Sequence, residues 1–259
     1  DFLLSSAYIG RPIAIGSQVA RSVLNLVAMD LAALEHEIAL RSCASARIVT
    51  HVPEVLCHRA GRTLTTPRRL SHIQDFLNAQ GVAASVRHGS WPGTFQVDRI
   101  GLHRAKVSII IPFRDQPRFL RSCTDSIWAT GSDVEVELVL IDNGSTEPET
   151  LGLVERLGTA PGVVVMHDDQ SFNWARLNNA GARSASGDVL LFLNNDIEAL
   201  HTGWMGALAA QALRPEIGSV GARLLYPNGR LQHCGVVVGL TGAAGHPLVG
   251  LTQEAPGYL

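Results

Sequence analysis

Four apolar runs in this chain each end in a short cluster of side chains able to do chemistry. Residues 107–111 lead into Pro112-Phe113-Arg114-Asp115, and 135–141 into Asp142-Asn143-Gly144-Ser145. Residues 163–167 lead through Asp168 and Asp169 to Phe172-Asn173, and 189–193 end in Asn194-Asn195-Asp196. A carboxylate such as Asp142 can accept a hydrogen bond from an imide N–H, the group that uracil and thymine share. Asp196 offers hard oxygen ligation for Mg2+ or Mn2+, cations that bind carboxylates and phosphates together. A diphosphate leaving group needs such a cation, because negative charge builds up on it as its bond breaks. The helix start at Asn173, with Asn178 and Asn179, adds neutral donors and acceptors. Asp, Asn and Gly are ordinary turn formers after strands. Four consecutive runs ending this way nevertheless exceed what turns alone require.

The elements that must position these groups follow from the pattern around them. After Lys106, apolar runs alternate with amphipathic stretches, the signature of a parallel sheet with crossover helices. Strands are expected over 107–111, 135–141, 163–167, 189–193 and 219–225, and helices near 117–129, 148–157, 174–186 and 203–213. Run 107–111 is almost wholly apolar, as a strand covered on both faces must be. Ligands of such sheets bind outside the carboxyl ends of the strands, where the four clusters would lie. Upstream, apolar residues recur at helical spacing from Ser17 to about Cys43, and a second amphipathic helix is expected over 68–79, stopping at Gly81. Short strands are expected near 84–87 and 95–100. The pattern changes near residue 105, so the expected division is 1–105, a helical and mixed segment, and 106–259, an α/β domain.

Composition removes several alternatives. The 259 residues are 46% hydrophobic and 17% charged, enough for a sizeable core, and the formal charge of −2 offers no field for a polyanion. Nucleic acid is therefore not an expected partner. Lys106 is the sole lysine among 21 basic residues, which excludes a P-loop. Cys43, Cys57, Cys123 and Cys234 show no Cys-x-x-Cys spacing, so neither a zinc site nor a disulfide framework is indicated. No apolar run reaches the ~18 residues of a membrane span. The expected location is the cytoplasm, or the periphery of the inner membrane face. No Gly-x-Gly-x-x-Gly follows a strand, Gly89-Ser-Trp-Pro-Gly93 has the wrong spacing for a nucleophile elbow, and Glu35-His36-Glu37 lacks the second histidine of a zinc protease helix. His233 and His246, in a glycine-rich apolar segment, read as structural.

Taken in order, four motifs resemble family 2 glycosyltransferases of the GT-A fold. They are Val107-Ser-Ile-Ile-Ile-Pro112, Leu140-Ile-Asp-Asn-Gly-Ser145, Phe172-Asn-Trp-Ala-Arg-Leu-Asn-Asn-Ala-Gly181 and Gly187-Asp-Val-Leu-Leu-Phe-Leu-Asn-Asn-Asp196. The nearest flavour is the bacterial rhamnosyltransferase-like group acting on cell-surface polysaccharide. The resemblance implies a Rossmann-like, mostly parallel sheet with helices on both faces. It implies inverting transfer from a nucleoside-diphosphate sugar to a glycan or lipid-linked glycan, with Mn2+ or Mg2+ holding the diphosphate. Carried over, Pro112, Phe113, Arg114 and Asp115 would line the nucleotide pocket and Asp142 would contact the base. Asp196 would be the metal carboxylate of an Asp-x-Asp motif whose first member is here Asn194, a weaker neutral ligand. The family's acidic base sits in a Glu-Asp motif further downstream than this sequence runs, so the expectation is a donor-binding half without its base. A nucleotide-sugar-binding module without turnover, and a generic α/β domain that binds no nucleotide, are the competing readings. Residues 35–41 and 47–59 more weakly resemble the acceptor-side tail of a preceding transferase-like domain, and Glu35 reads as an exposed helix acid rather than a base.

Overall fold

The structure is a computed structural model that describes residues 14–23, 31–49, 68–89, 94–99 and 105–253. By compactness the chain divides into Gly101–Ala222 and a second unit made of Asp1–Ile100 with Arg223–Leu259. The sequence reading instead ran one α/β domain from 106 to 259; the observed division separates the segment from Arg223 onward from the sheet.

The first hundred residues contain α1 (Ser17–Val23), α2 (Leu31–Ser45), α3 (Arg68–Ala79), β1 (Ala84–His88) and β2 (Phe95–Arg99). Residues 24–30, within the helix expected from Ser17 to about Cys43, lie outside the described residues, as does the turn-rich stretch 61–67. Helix α3 keeps its expected limits, and Gly81 beyond it takes φ +69°, a left-handed conformation that glycine adopts without steric cost. Its apolar stripe, Ile73 and Leu77, packs with Ala39 and Leu40 of α2 and with Ala84 and Phe95 of the antiparallel β1–β2 pair. The side chain of Glu35 lies outside the described residues; that of Glu37 accepts hydrogen bonds from the Arg41 guanidinium at 2.8 and 3.0 Å and lies 3.5 Å from His72 Nδ1.

The sheet unit follows the alternation read from the sequence. It contains β3 (Lys106–Phe113), α4 (Pro117–Ala129), β4 (Glu135–Asp142), α5 (Pro148–Gly158), β5 (Val163–His167), α6 (Trp174–Ser184), β6 (Val189–Phe192) and α7 (Trp204–Ala212). The four strands are parallel, in the order β5-β4-β3-β6. Alternate residues of the two central strands serve opposite faces. Ile109, Ile111, Leu138 and Leu140 pack with Leu120 and Ile127 of α4, Leu153 and Val154 of α5, and Met205 and Ala209 of α7. Ile110, Val139 and Ile141 pack with Leu177 of α6. Helices therefore cover both faces, which is why the central strands read as unbroken apolar runs. The chain winds outward from β3 to β5 through α4 and α5. It returns past β3 through α6 on the other face, as right-handed crossovers require.

Helix α6 lies close to the sheet because position 181 is glycine. A Cβ there would meet Ile110 Cγ2 at 2.6 Å and Ile141 Cδ1 at 2.8 Å, both on fully buried side chains. Gly181→Val is expected to lower stability by about 1–3 kcal/mol through overpacking. Urea denaturation checks this, and an unchanged midpoint would show that α6 can shift without cost.

The expected strand over 219–225 does not join the parallel sheet. Only β7 (Leu224–Leu225) forms, antiparallel to β8 (Leu231–His233), and β9 (Val237–Val238) pairs with β10 (Ala244–Gly245). Gly221 interrupts the run, and glycine weakens a strand interior. None of the described helices is long and apolar enough to cross a membrane.

Candidate active site

The strand order reverses between β3 and β6, so the crevice of this sheet opens beyond their carboxyl ends. The loop after β3 is shaped by two successive left-handed residues, Asp115 (φ 49°) and Gln116 (φ 58°). Asp115 Oδ1 accepts the backbone N–H groups of Thr146 at 2.7 Å and Glu147 at 2.9 Å, and its own N–H donates to Ser145 Oγ at 2.8 Å. The N–H groups of Glu147 and Thr146 hold its carboxyl below the ordinary range. Asp115 thus caps α5, whose N-cap residue Glu147 makes no side-chain cap of its own, and ties the first two loops together. Phe113, expected to line a nucleotide pocket, is buried in the sheet core because alternation turns it toward the α4 face. Pro112 is half-buried and Arg114 is exposed.

Asp142 ends β4 and is only 3% exposed. Its Oδ1 accepts the Ser145 N–H at 2.9 Å, closing the turn in which Gly144 takes φ +74°, and its Oδ2 lies 3.4 Å from His167 Nδ1. The carboxylate is therefore engaged by the protein through both oxygens. Asn143 is equally buried; its amide donates to the carbonyls of Asp168 at 2.7 Å and Gln170 at 2.8 Å, drawing the third loop to the second.

In the third loop Asp168 pairs with the Arg176 guanidinium and accepts the Gln170 N–H at 3.0 Å. Asn173 caps α6, its Oδ1 accepting the Arg176 N–H at 2.9 Å. Asn179 is exposed. Asn178 is buried and donates to the Trp174 carbonyl at 2.8 Å, while the Oδ1 atoms of both Asn178 and Asn143 are buried without a hydrogen-bond partner.

The fourth loop differs. Asp196 is exposed and, among the described residues, its carboxylate has no hydrogen bond or ion pair. Asn194 is exposed as well, and its backbone carbonyl accepts from the thiol of Cys123 on α4 at 3.7 Å. No group of three or more His, Cys, Asp or Glu among the described residues could by itself hold a metal ion. A cation at Asp196 would thus complete its coordination with substrate oxygens and water, which is how Mg2+ and Mn2+ are commonly bound beside phosphates. An open carboxylate in the turn that follows β6 fits that requirement. By contrast Asp115, Asp142 and Asp168 are already occupied.

A shallow groove of about 760 Å3 opens between the first turns of α4 and α5, lined by Gln116, Phe119 and Glu147 among others. It includes none of the residues expected to touch nucleotide or metal. His233 and His246 face one another with Nδ1 atoms 3.0 Å apart, joining β8 to the segment after β10. Sequence reasoning missed Cys123 and Ser126 of α4, which hold the fourth loop; their helical spacing on an otherwise apolar face was the available signal. It also missed Glu137, a single acid facing inward within an apolar strand.

The sheet order and its crevice define an open, doubly wound α/β domain with a ligand site at its switch point. Residues 108–233, just under half of the chain, match the family described as glycosyl transferase family 2. An O-antigen biosynthesis protein of Myxococcus xanthus is 39% identical over 223 residues, 82% of this chain and 17% of its own length. An uncharacterized protein of Sinorhizobium fredii is 42% identical over 155 residues, 59% of this chain and again 17% of its own length. The chain thus spans about a sixth of these two relatives. Among solved structures, a mannosyltransferase of Pyrobaculum calidifontis in complex with GDP-Man and Mn2+ superposes with a TM-score of 0.43 at 20% identity, covering 48% of this chain and 37% of the other.

Proposed function

We propose that the sheet domain binds a UDP- or dTDP-linked sugar and transfers it, with inversion, to a glycan or lipid-linked glycan of a cell-surface polysaccharide. The observation that carries this reading is the open carboxylate of Asp196 at the switch point of a family 2 domain, where Asp115, Asp142 and Asp168 are engaged by the protein. The likeness to an O-antigen biosynthesis protein supports a polysaccharide acceptor. Asp196, with the Asn194 side chain, would hold Mn2+ or Mg2+, which when bound offsets the charge gathering on the departing diphosphate.

The chain's own residues supply the rest. The nucleotide lies against Pro112, Arg114 and the turn from Asp142 to Ser145, with Asn173, Asn178 and Asn179 on the α6 side. Asp115 orders the first loop, and Phe113 anchors it from the core. Asp142 meets the base through Oδ2, the oxygen that lies beside the exposed His167 imidazole, which would give way to the base. Asp142→Asn retains an oxygen for the turn while removing the charge. It is expected to weaken UDP binding about tenfold and to leave pyrophosphate binding unchanged. Equal affinity of the variant and the wild type for UDP would confine Asp142 to the turn.

Calorimetric titration with UDP and with dTDP, each with and without Mn2+, tests the reading as a whole. Binding strengthened by the cation is the expected result; no binding of either nucleotide would overturn it. A second reading, nucleotide-sugar binding without turnover, is favoured by the neutral Asn194 beside Asp196. Incubating the chain with donor sugar and following release of the nucleoside diphosphate separates the two.

A further inference from the structure

Cys123 and Ser126 of α4 and Thr130, its C-cap residue, lie along one face of the helix, and each holds the segment after β6. The Cys123 thiol donates to the Asn194 carbonyl at 3.7 Å, Ser126 Oγ accepts the Ala199 N–H at 2.9 Å, and Thr130 Oγ1 accepts the Trp204 indole N–H at 3.1 Å. Just past the helix, Asp133 Oδ1 accepts the Gly206 N–H at 3.1 Å. The first two contacts bracket Asp196, one two residues before it and the other three residues after. Ser126 is itself oriented, because its hydroxyl donates to the Cys123 carbonyl at 2.8 Å and so presents a lone pair to Ala199. Cys123 is fully buried, so its thiol meets the Asn194 carbonyl away from solvent.

A carboxylate without internal hydrogen bonds takes its position from its backbone alone. Asp196 has no such bonds, so its place in the crevice depends on how firmly its loop is held at either end. Metal and diphosphate geometry tolerates displacements of only about half an ångström before binding weakens. We propose that Ser126, together with Cys123, is a positioning residue that sets the Asp196 carboxylate for its cation, acting from a helix that does not itself contribute to the crevice. This rests on the proposed metal role of Asp196.

The test compares wild type, Ser126→Ala and Ser126→Thr by two measurements. Amide hydrogen exchange at Ala199 reads the anchor without any ligand, and UDP affinity with and without Mn2+ reads its consequence. Ser126→Ala is expected to speed exchange at Ala199 and to weaken Mn2+-dependent UDP binding about five- to tenfold. Its cation-free binding should stay at the wild-type level, and Ser126→Thr, which keeps the hydroxyl, should restore both measurements. A merely structural role would lower both binding modes together, and that result overturns the proposal. Faster exchange with unchanged Mn2+-dependent affinity overturns it too, while leaving the metal assignment of Asp196 standing. Wild-type protein that binds UDP equally with and without Mn2+ removes that assignment and the positioning role with it.

Discussion

Asp196→Ala is expected to abolish Mn2+-dependent binding of UDP or dTDP, a loss of about a hundredfold or more, while leaving the folded state as stable as the wild type. A metal ligand beside a diphosphate contributes several kcal/mol through charge neutralisation. The same carboxylate contributes almost nothing to folding, because it is exposed and has no hydrogen bond or ion pair among the described residues. Surface substitutions of that kind stay within about 0.5 kcal/mol. This separation of effects distinguishes Asp196 from Asp115, whose carboxylate caps α5, and from Asp142, whose carboxylate closes its turn. Substituting either of those would disturb structure and binding together. Calorimetry with and without Mn2+, beside a thermal melt, measures both quantities. Wild-type affinity retained by Asp196→Ala in the presence of Mn2+ would remove the metal assignment.

The second large effect concerns stability in acid. Glu137 in β4 is 7% exposed, at the edge of the sheet opposite the crevice. Burial by itself would raise its carboxyl. The Ser108 hydroxyl at 2.5 Å, then the Ser186 N–H at 2.9 Å and hydroxyl at 2.7 Å, with Lys106 Nζ 3.6 Å away, reverse that and hold it at about 2 against an ordinary 4.5. The folded value lies below the unfolded one, so the stabilisation is complete above 4.5 and is lost as the pH falls toward 2. The shift corresponds to about 3 kcal/mol at neutral pH. Glu137→Gln is expected to lose roughly that amount at pH 7 and to show little difference from wild type near pH 2. Urea unfolding at a series of pH values checks this. A difference that stays constant from pH 7 to pH 2 would show that Glu137 acts through shape rather than charge. The same carboxylate orders the Ser186-Gly187 turn leading into β6, so its loss also loosens the strand that delivers Asp196.

Local pattern carried much of the fold. The limits of α3, α4 and β5 coincide with those read from periodicity and caps, because each is bounded by a glycine, a proline or a change of apolar period. Strands β3 and β4 run slightly longer than expected, since Pro112 and Phe113 remain in register with Ile141 and Asp142. The strand expected over 219–225 failed because its pairing was settled by the nearby 231–233 segment rather than by composition.

The sequence by itself determined the α/β alternation, the parallel sheet and the four polar strand ends, because each is a matter of residue type and spacing along one chain. It also placed Asp196 at the end of an apolar strand. Which of the strand-end acids stays open was decided only by the tertiary structure. Asp115 meets Thr146 and Glu147, and Asn143 meets Asp168 and Gln170, only because parallel pairing brings the ends of β3, β4 and β5 side by side. The polar face of α4 likewise meets the Asn194–Ala199 backbone only because β6 is laid against β3. Hydrogen-bond partners that lie 25 to 80 residues apart leave no mark on local pattern, so the same carboxylates that look alike in sequence become turn, cap and open ligand in the fold.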